Sequence, residues 1–265
     1  MMRPWRALLW KEWREQRWRC ALGTLVLATL SASLVRAQLV TLPEAAVMIF
    51  WPIGLLLAIF LAMGSVATER ADGTWPFLRA RPVGPAFILR IKWAAGAAYL
   101  AGALLIAAGA AHVAAWSRGL FDLPAPPPEL AASMSAAVPL PNSPAWLWNL
   151  VFLALVALLA WYTVLFFLLT RARDELHAGI GGVLLTLACL AWLLQLFMAS
   201  LGEGWLSAPV RGILWMSCLL NPLSPLALLE APLGYRLLAT AIALGVWIAG
   251  PVWLVGRLER AGRLS

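Results

Sequence analysis

The chain has 265 residues, of which 63% are hydrophobic and only 12% charged, with 16 tryptophans and a net charge of +8. Soluble domains sit near roughly 45–50% apolar and about a quarter charged, so this composition excludes a water-soluble globular enzyme. About 20 apolar residues cross a hydrocarbon layer of about 30 Å, and about six such crossings with their loops use up the length, leaving one transmembrane domain over 1–265. The excess of 20 basic over 12 acidic residues reads as a topology signal and headgroup contact. It does not suggest a nucleic-acid surface, because there is no soluble fold on which to cluster the charge.

In chain order, residues 1–19 come first. At 100° per residue Trp5, Leu8, Leu9 and Trp13 share one arc while Arg6, Lys11, Arg14 and Arg17 take the opposite half, the pattern of an interfacial helix. Glu12 and Gln16 intrude on the apolar arc. The long basic stretch, studded with Trp10, Trp13 and Trp18, suits a retained segment better than a cleaved leader. Charge-free apolar windows then predict spans over 20–35, 45–68, 93–117, 145–170, 178–202 and 237–256. The first, between Arg19 and Arg36, is short and requires both arginines to snorkel. With the N-terminus inside, sixteen of the twenty basic residues fall on that side. The positive-inside rule therefore places both termini in the cytoplasm.

Between spans two and three, residues 69–92 mix charges of both signs with Trp75, Phe77 and Leu78 and are punctuated by Gly73, Pro76 and Pro82. An apolar cluster amid charges suits a docking surface, and Asp72-Gly73-Thr74 predicts a turn or helix cap. Residues 118–144 hold seven prolines and predict an irregular external loop. Asp174, Glu175 and His177 form a charged turn without the three or four convergent donors a metal needs. In the external region 203–236, Asn221-Pro222 and Ser224-Pro225 break an uncharged stretch, 212–229. This predicts a re-entrant hairpin, provided protein covers the broken backbone.

The interior of the spans offers only Thr29, Asn149, Thr163, Thr186 and Gln195 as polar groups, with no acid or base at mid-depth. That counts against a proton-coupled carrier, an ion channel or an intramembrane protease. Ala98 and Gly102 form a small-xxx-small pair for close helix approach, either inside the subunit or between subunits. Trp146, Trp148, Trp205 and Trp215 read as headgroup anchors. Cys20, Cys189 and Cys218 are too few and too scattered for a disulfide framework and read as packing residues.

Taken together, Lys11-Glu12 in an amphipathic segment, six spans, a first cytoplasmic loop carrying Glu69, Gly73-Thr74, Leu78 and Arg81-Pro82, and Lys92 at the mouth of span three resemble the permease subunits of ABC-2 type transporters. The resemblance implies an all-α integral membrane protein with six transmembrane helices, an N-terminal elbow helix and a re-entrant hairpin before the last span. It implies a transport subunit, not an enzyme, in the bacterial cytoplasmic membrane, paired with a second permease and with an ABC ATPase whose groove seats the coupling loop. Glu69, Asp72, Gly73, Thr74, Phe77, Leu78, Arg81 and Pro82 become candidate ATPase contacts or supports for them. No GxxxxGK[ST] phosphate loop occurs, so ATP and magnesium would belong to the partner and this chain would hold no cofactor. A membrane scaffold docking some other protein is the alternative.

Overall fold

From Trp5 to Leu22 the chain has neither glycine nor proline, and its leucines, arginines, glutamates and lysine favour a helix. The segment accordingly runs without a break into the apolar stretch that follows. The computed structural model describes residues 4–37, 52–73, 84–121, 144–170, 172, 174–201, 217–227 and 233–260. Its helices are α1 (Pro4–Ala37), α2 (Pro52–Ala71), α3 (Pro85–Ser117), α4 (Pro144–Leu169), α5 (Glu175–Leu201), the short α6 (Ser224–Ala227), α7 (Leu233–Ile242), a π-helical stretch Ala243–Ala249, and α8 (Gly250–Arg260). No strand occurs among the described residues.

No turn separates the expected elbow, 1–19, from the expected first span. α1 is one helix of 34 residues, about 51 Å long at 1.5 Å per residue. Its partner α3 starts at Pro85, whose fixed φ suits a first helical position, eight residues before the predicted span. The two extensions support each other along a parallel seam. Leu8 packs with Ile88, Glu12 bonds Lys92, and the rings of Trp13 and Tyr99 lie 5.8 Å apart.

Interhelical contacts set the other directions. Leu57 covers Gly23 and Arg19 reaches Gly64, so α2 runs antiparallel to α1. Trp93 donates to Thr163 (3.0 Å) and His112 stacks near Trp148, so α4 is antiparallel to α3. Trp161 donates to Thr186 (3.2 Å) while Leu169 meets Gly181, turning α5 back again. Arg90 lies against Gly256, which brings the end of α8 beside the start of α3. Both ends of the described chain therefore lie at one end of the bundle.

Five helices are long and apolar enough to cross a membrane, and α2 adds the shorter apolar run Pro52–Gly64; this is a multi-pass membrane protein. α4 is the central helix, with 72% of its most apolar window buried against 17% for α1. The backbone of α3 approaches α4 closely at Gly96, which lies directly against the Tyr162 phenol, so a Cβ there would collide with the ring. Ala98 is exposed and nothing lies within 4 Å of a Cβ built on Gly102. Among the described residues, nothing packs closely on the small-residue pair.

The broken stretch before the last helix is described over 217–227, and protein covers it. Asn221, 1% exposed, accepts from the Leu223 N–H (2.9 Å) and the Cys189 thiol (3.0 Å) and donates to the Cys189 carbonyl (3.2 Å). Trp247 in the π-helical stretch donates to the Leu220 carbonyl (2.9 Å). That stretch ends just before Pro251, which has no N–H to give; the Gly250 N–H bonds back to Gly245, and the wider turn relieves the proline clash. Asn221→Ala strands the buried Leu223 N–H and is expected to cost about 2–3 kcal/mol. Cys189→Ala, which removes only a weak thiol donor, is expected to cost under about 1 kcal/mol. Thermal unfolding of both variants in detergent checks this, and equal costs would refute the bonded role of Asn221.

Candidate functional site

Among the described residues, the end of the bundle where α1 and α3 begin and α2 finishes holds a buried cluster of acids and lysines. Glu12 sits two turns into α1, Lys92 two turns into α3, and Glu69 near the end of α2. The parallel seam brings the first two level and the antiparallel run of α2 delivers the third. The Lys92 side chain, only 2% exposed, bonds Glu12 and lies 2.8 Å from Glu69 Oε1. Lys11 Nζ contacts the same Glu69 oxygen at 2.6 Å, and Glu15 at 3.6 Å. Gln16 Nε2 donates to the second Glu12 oxygen at 3.4 Å.

Two lysines thus neutralise two buried carboxylates, Glu12 and Glu69, with exposed Glu15 at the rim. Burying any one of these charges alone would be prohibitive; together they form a bonded unit that repays part of the desolvation. Carboxylate oxygens of Glu12, Glu15 and Glu69 fall within 4.8 Å of one another, but the ammonium groups of Lys11 and Lys92 already stand on two of these acids. The three carboxylates are therefore a salt-bridge site rather than an open metal cage.

The placement relative to a bilayer follows from length. Arg17 and Arg36 are separated by nineteen positions on α1, about 28 Å, close to the thickness of a hydrocarbon layer. Arg19 pairs with Glu175 at the start of α5 (3.0 Å), at the same level. Asp174 caps α5 by accepting the His177 N–H (2.9 Å). That bond, with the His177 ring beside it, holds the Asp174 carboxyl below its ordinary range. Glu12 of the ionic cluster lies five residues beyond Arg17, about 7.5 Å outside that layer, where buried charge is tolerable.

The expected site residues divide accordingly. Asp72 and Gly73 are exposed at the exit of α2, and Gly73 has φ +66°, a left-handed conformation suited to a helix C-terminus. Glu69 is not a surface contact: it is buried between two lysines. Thr74, Phe77, Leu78, Arg81 and Pro82 lie outside the described residues, as does most of 118–144 and of 203–236 with Trp205 and Trp215. On α1 the expected apolar arc and the buried face largely coincide, with only the Trp13 edge of the arc turned outward. Leu8 is buried, Leu9 and Lys11 partly so, Trp13 and Arg14 are exposed, and the intruders Glu12 and Gln16 are buried; the Trp5 side chain is outside the described set. The two intruders are buried within that arc because Lys92 and Glu69 make the interior of this end polar.

No family model and no curated protein matches this chain. Its function has to be argued from the site itself. Glu69 and Lys92 flank the segment 70–91 and are bonded to each other. The two roots of that segment are therefore clamped, and the clamp is fastened to α1 through Glu12 and Lys11. Spacing alone did not reveal this. The usable signal was the presence of glutamates and a lysine next to long apolar runs, where isolated charge has no place.

Proposed function

We propose that the chain is the membrane-spanning permease subunit of an ATP-driven exporter of ABC-2 type, crossing the bacterial cytoplasmic membrane six times with both termini in the cytoplasm. The carrying observation is the clamp: Glu69 and Lys92, at the two roots of the proposed coupling loop, are bonded to each other and to α1. A push on the loop would then move α1, α2 and α3 as one body. The alternating helix directions fit an even number of crossings, with α2 as the sixth span. Cys189 lies fourteen positions into α5, about 21 Å from its start, and Asn221 is bonded there, which supports a re-entrant hairpin before the last span. The open small-residue face at Ala98 and Gly102 suits a second permease. In this reading α1 serves as elbow and first span in one helix.

Affinity purification of the tagged chain from its native membrane tests the proposal. The expected result is a co-purifying subunit that hydrolyses ATP at a phosphate loop. Recovery of a partner without nucleotide hydrolysis would instead select a scaffold, and turnover by the chain alone would select an enzyme.

A further inference from the structure

The exposed side of α1 below Arg17 carries a second, separate feature. Trp10, Trp13, Arg14 and Arg17 are all exposed and fall within an arc of about 100°, with Trp18 adjoining it. No acidic residue lies in that arc; the nearest, Glu15, turns toward Lys11 (3.6 Å). The Arg17 guanidinium rests over the Trp18 ring, 5.6 Å from its centre. Among the described residues, neither Arg14 nor Arg17 has a carboxylate within ion-pairing distance.

Along the helix axis this face begins where the apolar layer ends. Beyond Trp18 the exposed side continues into Leu22 and Leu25, 65% and 60% exposed, which belong in hydrocarbon. From Arg17 down to Trp10 is about 10 Å, through the headgroup layer on that side. A surface that is aliphatic in the acyl region, then aromatic, then cationic without an acid matches one partner from top to bottom. We propose that this face of α1 binds the headgroups of anionic phospholipids, the tryptophans seating at the headgroup level and Arg14 and Arg17 pairing with phosphate. The proposal requires only a membrane-embedded chain and no ATPase, so it stands or falls independently of the transporter reading.

The test is the association of spin-labelled phosphatidylglycerol and phosphatidylcholine with the full chain reconstituted in phosphatidylcholine bilayers. Wild type is expected to prefer phosphatidylglycerol, less so at high salt. Arg14→Gln/Arg17→Gln is expected to lower the preference about fivefold or more, the effect of losing one or more cations at an anionic surface. Arg14→Lys/Arg17→Lys retains charge and should retain most of it, which also reports that the α1 surface tolerates substitution. Arg118→Gln, at the other end of α3, should leave it within about twofold, less than the effect of one surface cation. No preference in wild type, an unchanged preference in the double glutamine variant, or an equal drop in Arg118→Gln would each overturn the assignment.

Discussion

Lys92→Met is expected to destabilise the chain by about 3–5 kcal/mol, the usual cost of breaking a buried ion pair from one side. Among the described residues Lys92 touches both Glu12 and Glu69, so its loss takes from each carboxylate a buried cation, while the Gln16 amide still reaches Glu12 and the half-buried Lys11 still reaches Glu69. Glu12→Gln should cost less, because Lys92 keeps Glu69 at 2.8 Å and the amide can still accept its proton. Adding Glu12→Met and Glu69→Met to Lys92→Met should recover most of the loss, since an apolar replacement of a buried ionic set is often neutral. Lys11, 33% exposed, can then turn to water. Thermal unfolding of the purified chain in detergent orders the three variants. If Lys92→Met were no worse than Glu12→Gln, the cluster would not be the joint that couples the three helices.

Gly73→Asp is expected to leave membrane insertion and yield unchanged while lowering co-purification of the ATPase about tenfold or more, the scale of losing one central interface position. The residue is exposed and nothing lies within 4 Å of a Cβ built on it, so the bundle is not disturbed. Its φ of +66° costs a non-glycine residue about 1–2 kcal/mol, and relief of that strain redirects the chain leaving α2 into the proposed coupling loop. The added carboxylate next to Asp72 also makes the surface more acidic. Leu78→Asp should have the same outcome by removing an apolar contact. Unchanged ATPase stoichiometry and transport in both variants would sink the coupling-loop assignment.

The residues that resembled a known family's loop and elbow turned out to meet. Lys11, Glu12, Glu69 and Lys92 were each visible in the sequence as charges flanking apolar runs, yet on the helical wheel Glu12 looked like a flaw in an amphipathic face. A wheel weighs hydropathy on one helix and cannot count the charges that a neighbour supplies. With Lys92 opposite, the flaw is part of the buried face, and Trp13 at the edge of the arc is exposed. Asn221 was read correctly as a break that protein must cover, but not that Cys189, taken for inert packing, supplies both its thiol and its carbonyl to the cover.

Composition and apolar run length determined that this is an all-helical, multi-pass membrane protein, and approximately where its helices lie, because burying a backbone in lipid demands helices of a set length. Sequence could not rank those helices. In an aqueous protein an apolar stripe marks the inward face, but in lipid the outward face is apolar as well, so α4 and the exposed side of α5 read alike. Only tertiary packing put α4 at the centre, joined the N-terminal segment and the first span into a single α1 along α3, and gathered four charged side chains from three helices into one neutral cluster. Ion pairing between residues dozens of positions apart depends on which helices are neighbours and in which register, and neither is written in local hydropathy.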